Sequence, residues 1–182
     1  MPTLIALIGY RGSGKTAVAQ LTALRLGWDW VDADVEIELR AGKSIAAIFA
    51  DDGEERFRDL ETAVLQELLR REKKVLALGG GVVLREENQQ QLLRARMFNC
   101  ARTVWLKASP KTLWQRIQAD TTTAARRPNL TAAGGVDEVK RLLKIRQPLY
   151  QECADFTVDT DRKTAEDVAD AITAWIRGNA TG

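Results

Sequence analysis

The stretch "GYRGSGKT", Gly9 to Thr16, limits what this chain can fold into more than any other. It follows the apolar run "LIALI" and precedes "AVAQLTALRLG", whose apolar residues recur at helical spacing. A glycine-rich turn between a buried strand and a helix lets successive backbone N–H groups wrap a phosphate at the helix N-terminus. Gly9, Gly14, Lys15 and Thr16 match the pattern G-x-x-x-x-G-K-S/T in that strand-turn-helix setting. In such loops the lysine reaches the β- and γ-phosphate oxygens and the hydroxyl meets Mg²⁺. The plainer alternative, a glycine turn with an exposed lysine, does not account for the flanking strand and helix.

The rest of the chain repeats that alternation. Residues 3–8, 28–32, 74–78, 102–107 and 155–159 read as five strands, each apolar enough for burial on both faces of a sheet. Helical periodicity covers 15–26, 34–41, 44–51, 54–71, 86–96, 110–119, 136–153 and 164–177. Gly27 and Gly42 fall where helices end, Ser44 and Thr164 where they begin, and Pro110 suits a first turn. Pro148, inside the 136–153 helix, predicts a kink. Five tryptophans are assigned to core packing. The class expected is α/β with right-handed crossovers and a mostly parallel sheet, one domain of 182 residues. Residues 120–135 break the pattern and predict a mobile loop.

Charge excludes more than it suggests. With 27 basic against 25 acidic residues, the net charge of +2 gives no field that argues for nucleic acid. No histidine is present, which removes His-based triads and His–zinc sites, and Cys100 and Cys153 read as two ordinary thiols of a reducing compartment. The only N-terminal apolar run is far short of a membrane span, so a cytoplasmic protein is expected.

Other strand ends carry further chemistry. Asp32 and Asp34 follow the second strand, where one carboxylate can support Mg²⁺ and the other face an acceptor hydroxyl, although a solvated turn is the ordinary reading. Gly79, Gly80 and Gly81 end the third strand and imply a backbone that approaches something closely. Arg58 and Glu61 are spaced as a surface i,i+3 pair. Arg116 lies on the helix leading into the loop that holds Arg126 and Arg127, and Arg146 stands beside Pro148.

Taken in order, "GYRGSGKT", "DADVEIE", "SIAAIFADDGEERFRDLE", "LALGGGVVL", "RRPNLT", "RQPLY" and "FTVDT" resemble the shikimate kinases, within the small P-loop kinases that include adenylate and gluconate kinases. The resemblance implies a three-layer αβα fold with a five-stranded parallel sheet in order 2-3-1-4-5. It implies transfer of the γ-phosphate of ATP to the 3-hydroxyl of shikimate, on the route to chorismate and the aromatic amino acids, with one Mg²⁺ per subunit. Lys15, Asp34 and Arg127 would be catalytic. Gly12, Ser13, Gly14, Lys15, Thr16 and Ala17, with Arg116, Arg127 and Arg162, would bind nucleotide, and Thr16 and Asp32 would hold the metal. Shikimate would fall to Asp34, Arg58, Gly79, Gly80, Gly81 and Arg146. The segment 33–61 would bind acceptor and 120–135 would be a lid. Of the two lid arginines, the one adjoining Pro128 fits the pattern better.

That assignment agrees with the chemistry. Shikimate carries a carboxylate at one end and vicinal hydroxyls at the other, which call for forked cations and an acceptor oxygen. Without histidine the proton acceptor must be an aspartate, a weak base that a loose transition state tolerates. The partners expected are ATP and shikimate alone, with no nucleic acid or membrane, for a monomer. A gluconate-kinase-like enzyme would instead leave Arg58 and Arg146 on the surface. A non-catalytic nucleotide-binding relative would lack an intact acceptor site.

Overall fold

The structure, a computed structural model, describes residues 2–120 and 135–178. Its centre is β1 (Leu4–Ile8), in which every residue is buried. Because strand side chains alternate, Leu4, Ala6 and Ile8 enter one apolar cluster and Ile5 and Leu7 the other. A strand with two apolar faces has to be covered twice, and the three layers follow from that requirement.

The remaining strands are β2 (Asp29–Asp32), β3 (Lys74–Ala77), β4 (Ala101–Lys107) and β5 (Phe156–Asp159). All pair in parallel, in the order β2-β3-β1-β4-β5. β1 is held in register by Leu4 opposite Lys74 on one side and Ala101 on the other. The order matches the expectation, but burial on both faces does not extend to all five strands. β2 and β5 are the sheet edges, and Asp29 and Trp30 are exposed as a result. Trp30 is therefore no core residue, at 40 % exposure, whereas Trp105 is buried in the sheet at 5 %.

One face is covered by α1 (Lys15–Leu26) and the C-terminal α8 (Ala165–Gly178), through Val18, Ala19, Val168, Ile172 and Ile176. The other carries α2 (Ala33–Ala41), α3 (Ile45–Asp51), α4 (Gly53–Leu68), α5 (Glu86–Met97), α6 (Pro110–Ala119) and α7 (Gly135–Cys153). Truncating a side chain such as Ile172, fully buried between α8 and the sheet, would cost about 2–5 kcal/mol.

Local signals set the ends. Gly27 and Gly42 close α1 and α2 in the left-handed conformation, at φ 67° and 68°. The Ser44 hydroxyl accepts from the Ala47 N–H, and Thr164 and Asp167 cap each other at the start of α8. α7 runs through Pro148 without interruption in its helical assignment. Among the described residues no helix is long and apolar enough to cross a membrane.

Candidate active site

β1, β2 and β3 all point their carboxyl ends at one cleft of about 330 Å³. The phosphate loop contributes Arg11, Gly12, Gly14, Lys15 and Thr16, and the β2–α2 junction contributes Asp32 and Asp34. Glu38, Ile45, Gly80, Arg116 and Asp120 complete the lining. Gly12 has φ 81°, and a methyl there would stand 3.0 Å from both the Ile117 side chain and the Leu113 carbonyl. The loop can press against α6 only because this residue is glycine.

The Lys15 ammonium donates to the carbonyls of Gly9 and Tyr10 at 2.9 and 3.0 Å, folding over the loop it belongs to. Beside it, the Thr16 hydroxyl donates to Asp32 Oδ2 at 2.8 Å, and Asp32 Oδ1 accepts from the Asp34 N–H at 3.0 Å. Asp32 thus caps α2 and ties it to α1 with one carboxylate. Among the described residues no group of three His, Cys, Asp or Glu side chains could hold a metal ion. A hydroxyl and a carboxylate in contact do fit Mg²⁺, which takes one or two protein oxygens and completes its shell with water and phosphate.

A second cleft, of about 190 Å³, adjoins the loop through Ser13 and Gly14 and runs to Thr160 and the start of α8. Arg116 lines both clefts, donating to the Thr160 hydroxyl at 3.0 Å and the Thr160 carbonyl at 2.8 Å. Ala17 lies in the first turn of α1. Arg162, by contrast, is exposed with φ 60° and lines neither cleft.

The three glycines after β3 are filled by their neighbours. A methyl on Gly79 would lie 2.7 Å from Glu61 Oε1 and 3.2 Å from Asp34 Oδ1. On Gly80 it would meet the backbone of Arg11 and Gly9, at 3.2 and 3.4 Å, and on Gly81 the Arg58 guanidinium at 2.5 Å. One turn therefore touches the phosphate loop, α2 and α4 together.

Arg58 and Glu61 do pair, at 2.7 Å, but this is no surface pair: their side chains are 11 % and 3 % exposed. α4 turns its Phe57, Leu60, Val64 and Leu65 inward, and Glu61 falls on that same stripe. Burial pushes the Glu61 carboxyl above the ordinary carboxylate range, and the Arg58 charge offsets part of the rise. Glu61 Oε1 has no hydrogen-bond partner among the described residues. Arg58 also donates to Glu54 at 3.1 Å.

Arg146 comes from α7 and is 7 % exposed. It donates to the Gly80 carbonyl at 3.2 Å, and the buried Tyr150 hydroxyl donates to the same oxygen. Among the described residues Arg146 has no carboxylate within ion-pair distance. Tyr150 in turn stacks on Trp105, with ring centroids 5.8 Å apart.

Sequence reasoning thus brought Lys15, Thr16, Asp32, Asp34, Arg58, Gly79, Gly80, Gly81, Arg116 and Arg146 to one region, and missed Glu61, Tyr10 and Tyr150. A glutamate on an apolar stripe was the readable signal for the first. Arg127 lies outside the described residues, as does the expected lid apart from Asp120 and Gly135.

A family model described as shikimate kinase matches residues 11–177. Shikimate kinases of Rhodopirellula baltica and Thermodesulfovibrio yellowstonii are 44 % and 40 % identical, each over 92 % of this chain and over 87 % and 91 % of their own lengths. Among solved structures, a shikimate kinase from Acinetobacter baumannii in complex with shikimate superposes with a TM-score of 0.88 at 36 % identity. That match covers 98 % of this chain and 95 % of the other.

Proposed function

The chain belongs to the shikimate kinase family, and from that premise we propose how its own residues divide the reaction. The activity is ATP-dependent transfer of the γ-phosphate to the 3-hydroxyl of shikimate, yielding shikimate 3-phosphate and ADP. Lys15 holds the β- and γ-phosphates once it exchanges the loop carbonyls for phosphate oxygens. Gly12, Ser13, Gly14, Thr16 and Ala17 surround the phosphates with N–H groups at the start of α1, and Arg116 stands on the base side. Thr16 and Asp32 would hold Mg²⁺, which would neutralise part of the phosphate charge.

Asp34 faces the acceptor hydroxyl, orients it and takes its proton as transfer completes. Arg58 and Arg146 take the shikimate carboxylate, with the Gly79–Gly81 turn as the floor between them. Arg127 remains the candidate for stabilising charge on the transferring group, on sequence grounds alone. We further propose a single P-loop kinase domain, with 33–61 as its acceptor-binding segment and 120–135 as its lid, acting as a cytoplasmic monomer.

Arg146 carries this reading. A cation so buried, with no carboxylate within ion-pair distance among the described residues and only the longer-range charge of Glu61 near it, is costly unless a ligand brings the anion. A gluconate-kinase-like enzyme would leave Arg58 and Arg146 on the surface, and both are instead enclosed behind the glycine turn. The test is Arg146→Ala, with shikimate KM and the Kd of Mg·ATP measured side by side. A charge-assisted contact of about 1.5–3 kcal/mol predicts a KM rise of about 10- to 150-fold with an unchanged nucleotide Kd. Arg146→Lys should recover only part of the loss, since an ammonium keeps the charge without the fork. Equal weakening of both substrates would overturn the assignment.

A further inference from the structure

Arg146 is gripped on a second side. Its guanidinium carbon lies 5.4 Å from the centroid of the Tyr10 ring, within the range of a cation–π contact. Tyr10 is 3 % exposed and belongs to the phosphate loop, where its carbonyl accepts from the Lys15 ammonium. The backbone of one residue therefore serves the nucleotide end while its ring serves the acceptor end.

The choice of an aromatic partner has a consequence for binding. A carboxylate at this place would stabilise the buried arginine but would neutralise it and occupy its N–H donors. A ring face attracts the cation through its quadrupole and accepts no hydrogen bond in the guanidinium plane. Apart from its contacts with the Gly80 carbonyl and the Tyr150 hydroxyl, the fork stays available to an incoming anion.

We propose that Tyr10 is a positioning residue for the acceptor: its ring fixes the Arg146 guanidinium so that the remaining donors, beyond those used on Gly80 and Tyr150, meet the substrate carboxylate. The proposal rests on the reading of Arg146 given above. Two substitutions separate the ring from the hydroxyl. Tyr10→Phe keeps the ring and should hold shikimate KM within about 2-fold of the parent. Tyr10→Leu removes it and should raise that KM about 3- to 30-fold, the range of a partly to fully desolvated cation–π contact. Its kcat and the Kd of Mg·ADP should stay within about 2-fold, a split that a merely structural role would not produce. Should the leucine variant fail to fold, Tyr10→Met carries the same prediction, because the flexible thioether fills irregular space.

A double-mutant cycle completes the test. In an Arg146→Ala background, Tyr10→Leu should produce no further rise in shikimate KM. An unchanged KM in both Tyr10→Leu and Tyr10→Met overturns the proposal, as does a parallel loss of nucleotide affinity or an equal loss with Arg146 absent. If Arg146→Ala itself leaves shikimate KM untouched, the parent reading has failed, a result that the single Tyr10 variants cannot mimic.

Discussion

Glu61 illustrates what a single position could and could not disclose. The three-residue spacing to Arg58 was readable, and the pair exists; that it is buried followed only from the stripe formed by Phe57, Leu60, Val64 and Leu65. Side-chain type alone singled out Lys15 and Asp34, and both line the cleft. Lys15→Met should abolish phosphoryl transfer in a protein with unaltered circular dichroism, because it removes the charge proposed to face the phosphates. Asp34→Asn should bind both substrates and lose most of its kcat, since an amide cannot take the hydroxyl proton; a near-normal kcat would remove Asp34 from the chemistry. The two thiols differ by environment. Cys100 is exposed, while burial pushes the Cys153 thiol up to about 11. At pH 8 a thiol reagent should therefore titrate one equivalent in the native protein and two in denaturant. A raised folded value also means that the unfolded chain ionises first, so Cys153 subtracts stability as pH climbs from the ordinary thiol range toward about 11. Denaturant midpoints of Cys153→Ala should fall less steeply over that interval than those of the parent.

Secondary-structure elements were legible where local rules govern them. Gly27, Gly42, Ser44 and Thr164 announced helix ends because capping depends on a few adjacent residues. Edge positions were not legible, since "WDWVD" and "KVLAL" look alike until neighbours are assigned, and only the second lies inside the sheet. The triple glycine was readable as a close approach, but its partners come from α2, α4 and the phosphate loop, all remote in sequence. That turn gives the element-scale prediction. Gly81→Ala would place a methyl 2.5 Å from the Arg58 guanidinium, which must swing away. Shikimate KM should rise at least about 10-fold, the loss of one charge-assisted contact, while the KM for ATP stays near that of the parent. A variant with unchanged shikimate KM would place the carboxylate elsewhere.

At the scale of the molecule, pairing order is a non-local property, and periodicity alone left it open; order 2-3-1-4-5 came with the family resemblance and matches the sheet. That order sets β3 and β1 side by side, so the glycine turn and the phosphate loop meet, and it puts β2 next to β3, which brings Asp32 and Asp34 to the same cleft. The phosphate loop and the proposed acceptor residues thereby lie at the carboxyl ends of adjacent strands, as a two-substrate enzyme requires and a nucleotide-binding domain does not. The most direct measurement follows ADP release and phosphate-ester formation with Mg·ATP and, in turn, shikimate, gluconate, AMP or water as acceptor. One ADP should be released per phosphorylated shikimate, with little turnover of the other three. ADP release without an ester of shikimate, or gluconate or AMP turned over as well as shikimate, would contradict the proposed function.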